Sequence, residues 1–391
     1  MRYLGILAAL ALALALALPT SVTATGLKPD ERTLYLLDAM SDSPLKRTLD
    51  ACRDARMTPR NFSISHRGAP ARYAEHTAAS YRAGAAQGAG IVECDVTFTR
   101  DKALVCRHAQ DDLARTTNVL ETPFAQRCAS RPSGASWEAP GTARCSTADL
   151  TLKELLSLEA RMDSRGQHPA LAPAAGTRVM THRDAIRLID ELGRDFTPEL
   201  KRPSVPMPFD GLTLAGYAQA LIDDYKALGI SPERVWPQSF RLADVRYWIA
   251  EEPDFGRQAI YLDGRYRNSD FNAGRPDRLT PSMAALKAEG VNFLAPPLWV
   301  LLTLEADRIV PSAYARAAKD AGLELVAWTM ERSGPLGRGG GWYFQSVRDA
   351  IRSDGQFFEV LHVLAKDVGV RGVFSDWPAP VTFYANCMGL P

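Results

Sequence analysis

Carboxylates interrupt two otherwise apolar stretches of the chain. In Glu93-Cys94-Asp95, the period-two alternation of a strand sends Glu93 and Asp95 to one face and Cys94 to the other. Glu199 and Lys201 repeat this alternation later in the chain. Uncompensated carboxylates repel one another when they are buried, so the pattern indicates either matched ion pairs or a hard divalent cation with oxygen ligands. We favour one cation, Ca²⁺ or Mg²⁺, held by Glu93, Asp95 and Glu199.

Two histidines are expected close to these carboxylates. His66, in His66-Arg67-Gly68, directly follows a predicted strand. The segment from Phe98 to Val105 is predicted to turn back as a hairpin and to bring His108 beside the carboxylates. An unperturbed imidazole has a pKa of ~6.5, so two of them can act as general base and general acid, the pair that phosphodiester cleavage requires. The other histidines are interpreted as ordinary core or surface residues: His76, His168, His182 and His362.

Eight short β-rich apolar runs supply the elements that must position these side chains. Helical periodicity follows most of them, and an alternation of strand and helix favours a parallel sheet. Eight such units predict an α/β fold, the closed (β/α)₈ TIM barrel, although a doubly wound open sheet gives the same alternation. In either fold the site lies at the carboxyl ends of the strands. The runs are Asn61 to Ser65, Ile91 to Val96, Asp195 to Lys201, Val235 to Phe240, Gln258 to Asp263, Val291 to Ala295, Glu324 to Met330 and Gly372 to Asp376.

The regular spacing breaks at about residues 111–177, a segment rich in Pro, Gly, Ser and Ala. We interpret it as an insertion near the barrel mouth, either a functional lid or a disulfide-stapled decoration. The six cysteines include no CxxC motif, so disulfides are favoured over a zinc site. Cys128 with Cys145 is the preferred pair because both lie in the insertion, and Cys94 with Cys106 is a second prediction.

The amino terminus has the layout of a secretory signal, with Arg2, an apolar stretch from Tyr3 to Leu18, and Val22-Thr23-Ala24. A membrane anchor is the alternative, but the apolar run is only ~15 residues and a span needs ~20. We predict that residues 1–24 are a signal peptide and that residues 25–391 form one secreted or periplasmic barrel without a stable membrane anchor. Lys and Arg number 46 against 45 Asp and Glu, so no nucleic-acid partner is expected.

An ordered set of motifs resembles the glycerophosphodiester phosphodiesterase family, from about His66 to Pro378. Later runs suggest a longer, secreted branch of that family. The matching motifs are His66-Arg67-Gly68, Glu75-His76-Thr77, Glu93-Cys94-Asp95-Val96, Thr99-Arg100-Asp101, His108, Arg115-Thr116-Thr117, Glu199-Leu200-Lys201, Gln238-Ser239-Phe240, Ala327-Trp328-Thr329 and Ser375-Asp376-Trp377-Pro378.

The resemblance implies a (β/α)₈ barrel that hydrolyses glycerophosphodiesters to an alcohol and glycerol 3-phosphate. It implies the same three metal ligands, with His66 and His108 as the acid/base pair and with Arg67 and Lys201 stabilising phosphate charge. The chain departs from the family's pattern at Ala109, where Asp is usual. This departure bears on the identity of the substrate more than on the type of reaction.

Other functions remain open on the residues alone. The same site suits phospholipase D- or C-like hydrolysis of lipids or lysolipids, and an exported binding protein could keep the fold without the chemistry. A zinc hydrolase is disfavoured because the ligands are carboxylates. Rim aromatics such as Trp299, Trp328 and Trp377 either pack as barrel-top core or form a substrate pocket, where a choline head group could lie over their faces.

Overall fold

The computed structural model describes residues 26–163 and 177–391. The predicted signal peptide and His168 lie outside these described residues. Eight parallel strands close into a barrel because the first strand pairs with both the second and the last. The TIM-barrel prediction is therefore confirmed. The barrel strands are β1 (Arg60–Ser65), β2 (Ala89–Phe98), β3 (Asp195–Leu200), β4 (Gln238–Ser239), β5 (Ile260–Leu262), β6 (Phe293–Ala295), β7 (Glu324–Met330) and β8 (Gly372–Ser375).

Each of the eight predicted runs overlaps a barrel strand; β1 and β2 are longer than predicted, and several other strands are shorter. The run from Val235 to Phe240 forms only the two-residue β4, since Pro237 has no N–H to donate to a neighbouring strand. Smaller strand pairs lie outside the barrel. They are Leu104–Cys106, which is antiparallel to β2, Glu159–Ala160 with Thr177–Arg178, and Leu302–Glu305 with Arg308–Pro311.

Helices surround the barrel and cover its outer face. Several begin at a Ser or Thr that accepts a backbone N–H, such as Thr77, Thr181 and Thr213. The α-helices are Glu31–Asp38, Pro44–Asp50, Ala78–Ala86, Leu113–Thr116, Leu152–Leu155, His182–Glu191, Leu214–Ala227, Leu242–Glu251, Pro253–Gly256, Met283–Ala288, Leu298–Leu301, Ala313–Asp320, Gln356–His362 and Ala379–Cys387. None of these described helices is long and apolar enough to cross a lipid bilayer.

Strand β2 shows how alternation sorts side chains between two cores. Val92, Cys94 and Val96 belong to the large core between the strands and the helices. Ile91 belongs to the small apolar cluster inside the barrel. Glu93 and Asp95 follow Ile91 at a spacing of two residues, so they continue the interior face toward the carboxyl end of the strand.

The described part of the predicted insertion has its own small core. Residues such as Leu113, Leu120 and Leu155 form an apolar cluster that is separate from the main core. Cys128 and Cys145 are joined there, and Cys94 is joined to Cys106, so both predicted disulfides are present. A third disulfide, Cys52 to Cys387, was not predicted and joins cysteines that are 335 residues apart in the sequence.

Candidate active site

A cavity of about 550 Å³ opens at the carboxyl ends of the barrel strands. It gathers most of the side chains that the sequence singles out for chemistry. The predicted residues that line it are His66, Arg67, Glu93, His108, Glu199, Lys201 and Trp328, and Asp95 lies just beneath the surface with 1% of its area exposed.

The three predicted metal ligands converge. Asp95 on β2 lies in register with Glu199 on β3, and oxygen atoms of Glu93, Asp95 and Glu199 lie within 4.8 Å of one another. The Lys201 ammonium lies 2.7 Å from Glu199 Oε1 and 3.4 Å from Asp95 Oδ1. Asp95 Oδ1 is buried and accepts no hydrogen bond from any part of the chain that the structure describes.

The raised pKa values of Glu93 and Glu199 indicate that the three carboxylates have too little positive charge beside them. Burial, together with repulsion from Asp95 and Glu199, raises the pKa of Glu93 well above its usual value. Burial, opposed in part by Lys201, raises the pKa of Glu199 to about 7. Burial alone would also raise the pKa of Asp95, but Lys201 and His76 outweigh it and hold this pKa well below its usual value.

These features fit a divalent cation better than a set of matched ion pairs. Glu93 accepts hydrogen bonds from the Arg67 backbone N–H at 3.1 Å and from Gln238 Nε2 at 2.9 Å, and both of these donors are neutral. An oxygen-liganded cation would bind Asp95 Oδ1, which accepts no hydrogen bond from the described residues and lies 3.4 Å from Lys201 Nζ. It would also lower the raised pKa values of Glu93 and Glu199.

His66 is held firmly at the end of β1. Its Nδ1 forms a hydrogen bond with Asp376 Oδ1, and its Nε2 lies 3.7 Å from Glu93 Oε2. Arg332 donates to the other oxygen of Asp376 at 2.7 Å. Burial and the Arg67 guanidinium lower the pKa of His66 to about 4. Because Nδ1 contacts Asp376, Nε2 is the nitrogen that faces Glu93.

An amino-terminal segment braces this arrangement from outside. Arg32 donates two hydrogen bonds, of 3.0 and 2.8 Å, to Glu331, the residue before Arg332. The indole N–H of Trp377, the residue after Asp376, donates to Asp30 at 2.6 Å. Both neighbours of the Arg332–Asp376 pair are thus fixed by residues 30–32.

His108 reaches the cavity on the hairpin that the sequence predicts. The strand Leu104–Cys106 runs antiparallel to β2, the Arg107 N–H donates to the Asp95 carbonyl at 2.8 Å, and Cys106 is bonded to Cys94. The His108 ring itself forms no hydrogen bond with the described residues. Burial, with the charges of Arg67 and Lys201, lowers the pKa of His108 well below its usual value.

Arg67 and His76 complete the charged floor of the cavity. Arg67 donates to Glu75 at 2.9 Å, and its Nε lies 3.3 Å from Asp95 Oδ2. His76, interpreted from the sequence as an ordinary residue, is fully buried and contacts the same Asp95 oxygen at 2.8 Å. It therefore orients a predicted metal ligand. Its motif position, one residue after Glu75, was the available signal.

Oxygen and nitrogen atoms of Glu75, His108 and Asp112 also come within 4.8 Å of one another. The buried Arg107 guanidinium lies 3.8 Å from both of these carboxylates. Because the Arg107 guanidinium already supplies positive charge beside Glu75 and Asp112, we interpret the group as an ion-paired cluster and not as a second metal site.

The aromatic residues divide between the cavity and its surroundings. Trp328 lines the cavity, and its indole N–H donates to the Ala295 carbonyl at 2.9 Å. Trp377 does not appear in the cavity lining that the structure describes, because Asp30 holds its indole on another side. Sequence reasoning assigned no role to the lining residues Phe240, Tyr266, Trp342 and Tyr343 or to Asp376, although Asp376 lies in a quoted motif at a strand end.

Known proteins are similar to this chain in sequence and in fold. An extracellular protein of Arthroderma benhamiae is 47% identical over 218 residues, which cover 54% of this chain and 87% of the relative. A Mycobacterium tuberculosis protein named probable glycerophosphodiester phosphodiesterase 1 is 38% identical over 102 residues, which cover 25% of this chain and 37% of that protein.

A solved structure from Silicibacter pomeroyi, described as a candidate glycerophosphoryl diester phosphodiesterase, has the same fold. It aligns with a TM-score of 0.59 at 21% identity and covers 88% of this chain and 98% of its own. The model of the glycerophosphoryl diester phosphodiesterase family matches residues 66–379. The chain thus belongs to the glycerophosphoryl diester phosphodiesterase family, which confirms the resemblance and the prediction of a phosphoric diester hydrolase.

Proposed function

We propose that this enzyme hydrolyses glycerophosphodiesters to an alcohol and glycerol 3-phosphate in a reaction that depends on a divalent cation and on His66 and His108. One observation carries the proposal. Glu93 and Glu199 line the same cavity as both histidines, and oxygen atoms of these two carboxylates and of the buried Asp95 beneath them lie within 4.8 Å of one another. This combination provides for charge stabilisation and for proton transfer at the same point.

Glu93, Asp95 and Glu199 would hold the cation, and Ca²⁺ and Mg²⁺ both prefer oxygen ligands of this kind. When bound, the cation supplies positive charge that polarises a phosphoryl oxygen and stabilises the charge that develops on it. Arg67 and Lys201 add fixed positive charge at the same place. Because both are buried, their charges are weakly screened by solvent.

The two histidines divide the proton transfers. One takes a proton from the attacking oxygen, and the other gives a proton to the departing alkoxide. If the attacking oxygen belongs to water, glycerol 3-phosphate forms directly; if it is a neighbouring hydroxyl of the substrate, a cyclic phosphate forms, and water then opens it to glycerol 3-phosphate. The hydrogen bond between His66 Nδ1 and Asp376 leaves Nε2 of His66 for this transfer. His108 lines the same cavity, and no hydrogen bond from a described residue occupies its ring nitrogens.

Export is part of the proposal. Three disulfides and the extracellular name of the Arthroderma relative support a secreted or periplasmic enzyme that comprises residues 25–391, with the insertion at about residues 111–177. Expression in a secreting host tests it directly. Mass spectrometry of the exported protein should find an amino terminus at Thr25 or within a few residues of it, and an uncleaved protein would contradict the proposal.

The reaction is tested by measuring glycerol 3-phosphate released from glycerophosphocholine and glycerophosphoglycerol. A chelator should abolish release, and Ca²⁺ or Mg²⁺ should restore it. Detergent-dispersed lysophosphatidylcholine, assayed in parallel, separates this activity from the phospholipase alternative. Turnover of the lysolipid alone, or turnover that no chelator affects, would overturn the proposal.

A further inference from the structure

The cavity carries more positive charge than one phosphodiester requires. Six basic side chains line it, against the acidic side chains of Glu93 and Glu199 in the described part of the chain. A phosphodiester carries a single negative charge, so basic groups that are not paired with carboxylates are available to another part of the substrate. The basic residues are Arg67, Lys201, Arg202, Arg241, Arg267 and Arg332.

Three of these basic residues belong to the floor, and each has a close carboxylate partner there. Arg67 pairs with Glu75 at 2.9 Å. Lys201 pairs with Glu199 at 2.7 Å, and Arg332 pairs with Asp376 at 2.7 Å. Their charges are therefore used in assembling the catalytic groups and in binding the scissile phosphate.

The other three form what we call the arginine rim, which consists of Arg202, Arg241 and Arg267. They follow the successive strands β3, β4 and β5, so barrel order brings them to one side of the cavity mouth. Arg241 lies 3.4 Å from Asp244. Arg202 and Arg267 are exposed and form no ion pair with any residue that the structure describes.

Arg267 also covers the aromatic faces on this side of the cavity. Its guanidinium lies 4.5 Å from the ring centroid of Phe240 and 5.1 Å from that of Tyr266. An ammonium group would have to displace this resident cation to use either face. It would also approach Arg202 and Arg241, which repel it. The rim therefore disfavours a choline head group over Phe240 and Tyr266.

We propose that the alcohol this enzyme releases carries its own negative charge, such as an additional phosphate group, and that the arginine rim binds it. The inference rests on the proposed function and specifies its substrate class. Planar guanidinium groups suit phosphate because they donate paired hydrogen bonds to its oxygens.

A matched pair of substrates tests this inference. Glycerophosphoinositol and glycerophosphoinositol 4-phosphate differ only by one phosphate on the alcohol, and glycerophosphocholine supplies the cationic alternative. At low salt, kcat/KM should be about tenfold higher for the phosphorylated substrate than for glycerophosphoinositol, with glycerophosphocholine the poorest. The advantage should shrink as ionic strength rises.

Two variants sharpen the test. Arg202→Gln/Arg267→Gln should remove most of the preference for the phosphorylated substrate, so that the kcat/KM ratio of the two inositol substrates falls from about tenfold to near one. Turnover of glycerophosphocholine should rise, since the faces of Phe240 and Tyr266 become free. Arg187→Gln, which changes an exposed arginine on the helix His182–Glu191, is the control and should change nothing.

The outcomes are distinguishable. Equal turnover of the two inositol substrates, or a wild-type preference for glycerophosphocholine, would overturn the anionic-alcohol inference and leave the proposed hydrolysis intact. No turnover of any of the three substrates with Ca²⁺ or Mg²⁺ would overturn the proposed function and this inference with it.

Discussion

The two sides of the cavity are built by different means. The carboxylate wall, comprising His66, Glu93, Asp95, Glu199 and Asp376, lies on or directly after barrel strands, and its side chains are buried and held by neighbours. The opposite side, comprising the arginine rim and the aromatic residues Phe240, Tyr266, Trp328, Trp342 and Tyr343, lies mostly on the segments that follow β3, β4, β5 and β7.

This difference separates rate from specificity. Strand-borne, buried groups have fixed positions, and fixed charges at the reacting atoms lower a barrier. Loop-borne groups contact the part of the substrate that varies, and Trp342 remains 43% exposed. Substitutions in the carboxylate wall should therefore lower kcat/KM for every substrate to a similar extent. Substitutions in the rim should instead change which substrate has the highest kcat/KM.

The largest effect is expected from Asp95→Asn. It removes a charge from the proposed metal ligands and an ion pair with Lys201, so kcat/KM should fall by about 10³-fold for all substrates. The measurement is glycerol 3-phosphate release at saturating Ca²⁺ or Mg²⁺. Asp320→Asn, at an exposed helix position, is the matched control. A modest loss confined to one substrate would contradict the assignment of Asp95 to the metal.

Removal of either imidazole should have the next largest effect. His66→Ala and His108→Ala should each lower kcat by about 10²–10⁴-fold, the usual contribution of a general acid or base. Thermal unfolding should confirm that both variants fold. His362→Ala, which removes a half-buried histidine that contacts Tyr384, should keep its activity. Near-normal rates in both site variants would refute the acid/base pair.

The disulfides offer a matched comparison between the carboxylate wall and the insertion. Cys94–Cys106 joins β2, which carries Glu93 and Asp95, to the hairpin that carries His108. Cys128–Cys145 closes a loop of similar length in the insertion. Replacing either pair by alanine should lower stability by about 2–4 kcal/mol. Only the Cys94→Ala/Cys106→Ala variant should also lose kcat, by about tenfold. Equal activity losses in both variants would show that the first disulfide has no positioning role.

The smallest effect is expected at the brace. Arg32→Gln leaves Glu331 without its partner and should loosen the Arg332–Asp376–His66 arrangement, which lowers kcat a few-fold with little change in KM. Because Arg32 is itself partly exposed, the loss of stability should stay below about 1 kcal/mol. Arg32→Lys should restore part of kcat. A change in stability without any change in kcat would assign Arg32 a purely structural role.

Sequence reasoning predicted the carboxylate wall better than the rim, for a physical reason. Burial of a charge inside an apolar strand, as at Glu93, Asp95 and Glu199, is unfavourable in free energy unless the charge is paired or coordinates a metal. Strand alternation fixes the face on which it lies. The position of a loop residue depends on turns that local sequence does not specify, so Arg202 and Arg267 were not predicted.

Contacts between distant parts of the chain were also beyond prediction. The Cys52–Cys387 bond joins cysteines 335 residues apart. The hydrogen bonds that join Asp30 to Trp377 and Arg32 to Glu331 also link residues that are far apart in the sequence. Trp377 lies away from the described cavity lining because one such bond, to Asp30, holds it there. The shortness of β4 has a local cause, Pro237, and the sequence could therefore have indicated it.

The most direct test of the central claim is a titration of metal-free enzyme with Mg²⁺ and Ca²⁺, in which cation binding and glycerol 3-phosphate release are followed together. We predict that one cation binds per chain, that activity rises in parallel with binding, and that Glu199→Gln weakens both to the same extent. Full activity in the metal-free protein, or binding that Glu199→Gln leaves unchanged, would contradict a cation held by Glu93, Asp95 and Glu199.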